Sequence, residues 1–282
     1  MTKTWLITGA SSGFGRGMAE RLLSRGDQVI ATVRRQGSLD DLAAQYHDRL
    51  RVVYLDVTDT DGVQAAVNQA FADFKRIDVI VSNAGYGILG TVEETSIDQM
   101  RDIIETNLMG SMVLIKAALP HLRAQGFGRI VQVSSEGGQI AYPGFSLYHA
   151  SKWGIEGFIE SLAKEVQPFD IDFMIVEPGP SRTAFVGSIV LPDPISDYDG
   201  TPAHDLKDAA FGGGWVIKGD PDRMVDAMIT AADAPVMPFR LLLGKDAYAG
   251  VHGALSERLA VLEAGRDVTE AADFTEEELA AM

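Results

Sequence analysis

A doubly wound α/β fold is what this sequence predicts, on three observations. Short apolar runs recur along the chain, amphipathic stretches of helical period separate them, and a glycine-rich turn joins the first run to the first helical stretch. Near-continuous apolar strands alternating with helices imply a parallel sheet covered on both faces, and right-handed crossovers wind it in two directions. The 282 residues suit a single large domain spanning 1–282.

The elements follow in order. Trp5-Leu6-Ile7-Thr8 reads as a buried strand, and Phe14, Met18 and Leu22 at i, i+4, i+8 mark the helix after it, which Gly26 ends. Gln28 to Val33 is the second strand and Arg51 to Leu55 the third. A helix with Val63, Val67, Ala70, Phe71 and Phe74 on one face leads to the fourth, Asp78 to Ser82. A long helical pattern runs from about Ile97 to Pro120, ahead of the fifth strand, Ile130 to Ser134. Tyr148 to Val166 is helical again; Ile171 to Val176 and Arg240 to Leu243 are the sixth and seventh strands.

Residues 184–219 break this rhythm. They hold Gly187, Pro192, Pro194, Gly200, Pro202 and Gly212-Gly213-Gly214 with little periodicity, and a connection this long is expected to be a substrate-binding loop or lid. An extra C-terminal helix is expected after the seventh strand. Residues 267–282, with six acids and no base, read as a solvated acidic tail.

Composition narrows the function classes. Lys plus Arg total 24 against 40 Asp plus Glu, a formal charge of −16 that repels nucleic acid and anionic membranes. The absence of cysteine excludes disulfides, thiolate metal sites, iron–sulfur clusters and cysteine nucleophiles. No apolar run approaches the roughly 20 residues that cross a bilayer. The start, Met1-Thr2-Lys3-Thr4, runs into a strand without a signal peptide, so a cytoplasmic protein with a small-molecule substrate is expected.

Gly9-Ala10-Ser11-Ser12-Gly13-Phe14-Gly15 follows the first strand and opens the first helix. Three glycines let the backbone turn tightly and approach a pyrophosphate, and the helix start supplies N–H donors. Arg34-Arg35 follow the second strand, where an acid would hold the ribose hydroxyls of NAD. Arginine there accommodates a 2′-phosphate, which favours NADP(H) over NAD(H).

The chemical end is marked by Tyr148 and Lys152, four apart on one helix face. The lysine charge is expected to favour the phenolate and lower the tyrosine from its usual pKa near 10, making Tyr148 a proton donor and acceptor. Ser134-Ser135, Asn83-Ala84-Gly85 and Pro178-Gly179, with Thr183 beyond, close strands on the same rim, where ligands of such folds sit. Asn107 stands inside a long helix that asparagine does not favour, which asks for a local reason.

Taken as an ordered set, these residues resemble the short-chain dehydrogenase/reductase family. The match is carried by Thr8-Gly9-x-x-x-Gly13-x-Gly15, Asp56, Asn83-Ala84-Gly85, Asn107, Ser135, Tyr148-x-x-x-Lys152 and Pro178-Gly179-x-x-x-Thr183, over roughly residues 3 to 185. The resemblance implies a Rossmann-type domain with a seven-stranded parallel sheet and a nicotinamide cofactor across the strand ends. It implies that Tyr148 exchanges the proton, Lys152 lowers its pKa and holds the nicotinamide ribose, Ser135 orients the substrate oxygen, and Asn107 holds a water in a proton relay. By the same resemblance Asp56 and Val57 meet the adenine, Asn83 and Gly85 line the cofactor, Thr183 bonds the carboxamide, and Arg34 stands at the NADP position.

The expected function is therefore NADP(H)-dependent carbonyl–alcohol interconversion. A non-catalytic NADP(H) sensor, or an epimerase or dehydratase of the same fold, is the alternative. Phe185, Ile189, Leu191 and Trp215 would line an apolar pocket if the 184–219 segment folds over the site, or else anchor that loop on the core. His121, His149, His204 and His252 lack metal-ligand spacing and read as surface or loop residues, with a place at the cleft left open for His149 beside Tyr148, although adjacent helix residues point in different directions. The resemblance implies pairing, as a homodimer or homotetramer with a monomer the remaining alternative, through helices around 97–120 and 148–166, where Trp153, Phe158 and Ile159 either form that face or pack on the sheet.

Overall fold

The computed structural model describes residues 2–212 and 216–282. Trp215, Gly213 and Gly214 of the proposed lid, and Met1, lie outside the described residues.

Seven strands form one parallel sheet: β1 (Thr4–Ile7), β2 (Gln28–Val33), β3 (Leu50–Tyr54), β4 (Val79–Ser82), β5 (Gly128–Val133), β6 (Ile171–Pro178) and β7 (Arg240–Leu243). Their order is β3-β2-β1-β4-β5-β6-β7, so the winding reverses between β1 and β4. The helices between them are α1 (Gly13–Ser24), α2 (Asp40–Tyr46), α3 (Thr60–Phe74), α4 (Ile97–Ile104), α5 (Gly110–Gln125) and α6 (Ser146–Glu165). Beyond β6 come α7 (Pro202–Phe211), α8 (Pro221–Asp233), α9 (Lys245–Ala264), and the short α10 (Arg266–Glu270) and α11 (Glu276–Ala280).

The period of two along each strand divides the core into two layers. Trp5, Ile7, Val29, Ala31, Val79, Val81, Val131, Met174 and Val176 face one side, with Met18 and Leu22 of α1 and Met224, Val225 and Met228 of α8. Leu6, Ile30, Ile80, Ile130, Phe173 and Ile175 face the other, against Val63 and Val67 of α3, Leu114 and Ile115 of α5, and Ile155 and Ile159 of α6. Sheet residues thus read as unbroken apolar runs because both faces are covered. Arg240 at the start of β7 bonds Glu156 and Glu160 of α6 and Glu177 of β6, which ties the edge strand to the helical layer.

Several expectations are corrected. The long helix does not stop at Pro120; it runs to Gln125 and ends where Gly126 takes the left-handed conformation at φ 81°. Between α4 and α5 it passes through one π-turn, Glu105–Met109, without breaking. By length and apolarity this helix, Ile97–Gln125, could cross a membrane; here it buries Ile103, Leu114, Ile115, Ala118 and Leu122 as a core helix does. The described residues of 184–219 include a regular helix, α7, which accommodates Pro202 in its first turn, where the missing N–H costs nothing. Val190 pairs with residues 87–89, its amide donating to the Gly87 carbonyl at 2.9 Å, so the segment lies across the strand ends. Ile159 packs on the sheet, whereas Trp153 is exposed under the Arg258 guanidinium, 4.7 Å from the ring centre.

Candidate active site

Parallel strands put all their carboxyl ends on one rim, and a cavity of about 590 Å³ opens there. Of the catalytic and cofactor-binding residues expected from sequence, Ser135, Tyr148 and Lys152, Gly9, Ser11 to Phe14, Arg34, Arg35, Asp56, Val57, Asn83 to Gly85, Pro178, Gly179 and Thr183 line it, whereas Gly15 and Asn107 do not.

At one end lies the glycine-rich turn. Gly9 and Gly13 take φ of 67° and 54°, a region glycine enters without strain. Gly15 has no room for a side chain: a Cβ there would stand 2.5 Å from the Gly9 carbonyl oxygen and 2.6 Å from Asn83 Nδ2. Asn83 braces this turn from β4, its amide donating to the Thr8 and Gly9 carbonyls at 2.9 and 3.1 Å. The Thr8 hydroxyl returns the contact, accepting from the Asn83 and Ala84 amides. Ser12 caps α1 without a side-chain bond, and the first turn carries no acid, so the positive end of the helix is left to a ligand. Arg34 and Arg35 line the same wall, Arg34 3.9 Å from Asp56. A cradle that a methyl group would fill, a helix N-terminus and two guanidinium groups together fit a dinucleotide bearing phosphates.

At the other end, α6 presents Tyr148 and Lys152 one turn apart. The Lys152 ammonium donates to the Val133 carbonyl at 3.0 Å and lies 5.7 Å from the centre of the Tyr148 ring. Ser135 follows β5 and caps the 3-10 turn Glu136–Gly138, its hydroxyl accepting from the Gly137 amide at 3.0 Å. Rings of Phe145 and Phe185 stand 5.9 and 5.8 Å from that of Tyr148.

The electrostatics reverse one expectation. Burial pushes the Tyr148 phenol up to about 12, the Ser135 hydroxyl opposing this and the Glu136 charge adding to it. Lys152 does not overcome the burial, because its own ammonium is poorly solvated: burial pushes it down to about 8, with the Glu156 charge opposing. Protein alone therefore holds Tyr148 as the neutral acid.

Asn107 is buried and lies outside the cavity lining. It occupies the π-turn, which swings its amide toward the loop after β4. There Nδ2 donates to the Tyr86 carbonyl at 2.9 Å and to Ser151 Oγ at 3.2 Å, while Oδ1 accepts from the Tyr86 amide at 3.0 Å. These bonds clamp the Tyr86 turn.

Two histidines depart from the surface or loop reading. His149 is buried rather than on the surface; its Nδ1 bonds the Gly137 carbonyl and its Nε2 accepts from the Tyr142 amide, both at 2.8 Å. It thus fixes both ends of the loop that carries Glu136 and Tyr142 into the cavity wall. His204 is also buried, between Glu94 and Asp199. Phe185 and Ile189 line the cavity as expected; Leu191 is exposed and does not. A glutamate directly after Ser135 was the available signal for Glu136, since strand-end residues of such sheets face the ligand.

Comparison with known proteins follows the same outline. The short chain dehydrogenase family profile matches residues 3–192. The oxidoreductase BOA17 of Botryotinia fuckeliana is 40% identical over 254 residues, 89% of this chain and 92% of that one. A solved short-chain dehydrogenase from Streptomyces avermitilis is 39% identical, with a TM-score of 0.89 over 96% of this chain and 98% of its own. A short chain dehydrogenase from Burkholderia cenocepacia, solved in complex with NADP, is 25% identical, with a TM-score of 0.73 over 93% of this chain and 96% of its own.

Proposed function

The chain belongs to the short-chain dehydrogenase/reductase family of oxidoreductases, and from that premise we propose that it interconverts a carbonyl and a secondary alcohol with NADP(H), NAD(H) being the poorer cofactor. The observation that carries this reading is the shared cavity. Ser135, Tyr148 and Lys152 line one end, and the glycine-rich turn with Arg34 and Arg35 lines the other.

Bound across the rim, the cofactor would supply or accept the hydride. Its phosphates fit the α1 N-terminus and the Gly9–Gly15 turn, and the two arginines suit a 2′-phosphate. The Burkholderia cenocepacia relative in complex with NADP supports that assignment. In reduction, Ser135 and Tyr148 hold the substrate oxygen by hydrogen bonds, stabilising the negative charge that grows on it as the carbon receives hydride. Tyr148 passes its proton to that oxygen; in oxidation the direction reverses. Lys152 places a cation beside the phenol and favours its anionic form as the proton leaves. Asn107 positions the Tyr86 turn against this group.

Tyr86, Phe145, Phe185 and Ile189 make the substrate end largely aromatic and apolar, which suits a bulky apolar carbonyl compound. We read residues 184–219 as the loop that covers it.

The test is oxidation of NADPH and of NADH against a panel of ketones, aldehydes, quinones and keto-acids. NADPH turnover on ketones or aldehydes is expected, with NADH at least about tenfold poorer in kcat/KM. Cofactor binding with no turnover on any member would overturn the reading in favour of a sensor.

A further inference from the structure

Helix α6 carries three ionisable side chains one turn apart: Tyr148, Lys152 and Glu156. The first two line the cavity; the third stands outside its lining, 2% exposed and without a role in the proposed chemistry. Both oxygens of its carboxylate are bonded. Oε1 accepts from the Ser134 hydroxyl at 2.5 Å, and Oε2 accepts from Gln139 Nε2 and, at 2.7 Å, from Arg240 Nη1. The backbone after β5 closes on this group so tightly that Gly138 has no room for a Cβ beside Oε1.

Those bonds hold the segment that carries Ser135. Ser134 stands between Ser135 and Val133, whose carbonyl accepts from the Lys152 ammonium. Gln139 closes the 3-10 turn on the far side of Ser135, its amide donating to the Glu136 carbonyl at 2.8 Å. One carboxylate thus grips the chain on both sides of Ser135, while His149 of the same helix bonds the Gly137 carbonyl between them. Docking α6 on the sheet does not call for such a group. Ile155 and Ile159 do that with apolar surface, and buried ion pairs give little stability over apolar residues of similar size.

The charge of Glu156 bears on the same site. Burial pushes Lys152 down, and Glu156 opposes that. The other ionisable groups of this region are Tyr148, His149 and Glu160 on α6, Glu136 in the turn after β5, Glu177 on β6 and Arg240 on β7. Arg240 bonds Glu156, Glu160 and Glu177. Burial pushes Glu177 up, the Glu156 charge adding to the rise and Arg240 opposing it. Glu156 is the member of this cluster that stands one turn from Lys152.

We propose that Glu156 is a positioning residue: by holding Ser134 and Gln139 it sets Ser135 against Tyr148, and it keeps a negative charge one helical turn behind the Lys152 ammonium. This rests on the carbonyl-reducing reading of the cavity. Without that charge Lys152 gives up its proton more readily, so the alkaline loss of activity moves to lower pH.

The experiment takes two readouts. One is the pH profile of kcat/KM for NADPH in ketone reduction; the other is the ¹³C shift of the Lys152 ε-carbon in lysine-labelled protein, assigned by its loss in Lys152→Arg. Glu156→Gln keeps the size and should lower both midpoints by at least about half a pH unit. Glu156→Asp retains the charge and should restore the wild-type midpoints. Glu177→Gln removes a charge from the same cluster without touching Ser134 and should leave them in place. Ser134→Ala cuts a single hydrogen bond; kcat should fall by about tenfold or more through misplacement of Ser135, with NADPH affinity changed by less than about threefold. Wild-type midpoints in Glu156→Gln, or a wild-type kcat in Ser134→Ala, would overturn the role of Glu156. Should Glu156→Gln not fold, Ser134→Ala decides alone. Absence of turnover on any carbonyl compound would instead count against the reductase reading, and the Lys152 carbon titration would still decide Glu156.

Discussion

Lys152 and Val133 are joined across the wall of the cavity: the ammonium donates to the last carbonyl of β5 at 3.0 Å. The bond docks α6 on a strand end and holds the cation 5.7 Å from the centre of the Tyr148 ring. It also buries the charge, and burial pushes Lys152 down to about 8, the Glu156 charge opposing. A lysine depressed in the folded state is costly to keep charged below about pH 8, and that cost fades as pH rises from there to the unfolded value near 10.4. Activity runs the other way, because the ammonium that assists Tyr148 is lost over the same range. The kcat/KM for NADPH, which reports ionisations of the free enzyme, should be flat at neutral pH and fall with a midpoint near 8. A profile flat to pH 10 would remove Lys152 from the proton-transfer step.

Tyr148→Phe deletes the hydroxyl and keeps the ring that packs between Phe145 and Phe185. The cradle for the cofactor phosphates lies at the other end of the cavity. NADPH affinity, followed by its fluorescence, should therefore change by less than about threefold, while kcat falls by about 10²–10⁴. Equal losses in both would make Tyr148 a binding residue.

Arg34 and Arg35 are exposed, and their cost of deletion falls on the ligand rather than on the fold. Charge-assisted hydrogen bonds contribute about 1.5–3 kcal/mol each, so Arg34→Ala or Arg35→Ala should weaken NADPH by roughly 10- to 100-fold. NADH, which lacks the 2′-phosphate, should change little. Isothermal titration with both cofactors measures the difference, and parallel losses would refute the NADP assignment.

What could be read from the residues, and what could not, divides along physical lines. The alternating layers of Trp5, Leu6 and Ile7, or of Val79, Ile80 and Val81, are written locally as apolar runs, so the sheet was legible. Gly9, Gly13 and Gly15 were legible because backbone geometry restricts those positions to glycine. The Tyr148–Lys152 spacing was legible because helical geometry places i and i+4 together. The sign of the Tyr148 shift was not, because burial is a property of the assembled walls and here outweighs the neighbouring charge. Nor was the π-turn that redirects Asn107, since one extra residue in a helical turn leaves no compositional trace. His204 depends on partners made across the fold, Glu94 and Asp199, and no local pattern reports it.

Glu94 tethers the 184–219 segment to the body. Its carboxyl accepts from the Thr91 amide at 2.7 Å, the Ile195 amide at 2.9 Å and His204 Nε2 at 2.6 Å. Burial alone would raise this acid, but the Ile195 and Thr91 amides and His204 outweigh it and hold it at about 2. A carboxylate depressed in the folded state contributes stability that is complete above the unfolded value near 4.3 and is lost as pH falls toward 2. Glu94→Gln removes the charge, weakens all three bonds, and should cost about 1.5–3 kcal/mol locally. Because Ile195 and His204 belong to the segment we propose covers the cavity, the loss should appear as faster amide exchange over residues 195–204 and a raised KM for the carbonyl substrate, with NADPH affinity little altered. Acidification of the wild-type protein from pH 5 toward pH 3 should loosen the same residues, and Glu94→Gln should be insensitive to that change. Equal protection of residues 195–204 in both proteins at pH 7 would show that the segment is held by its apolar contacts rather than by this carboxylate.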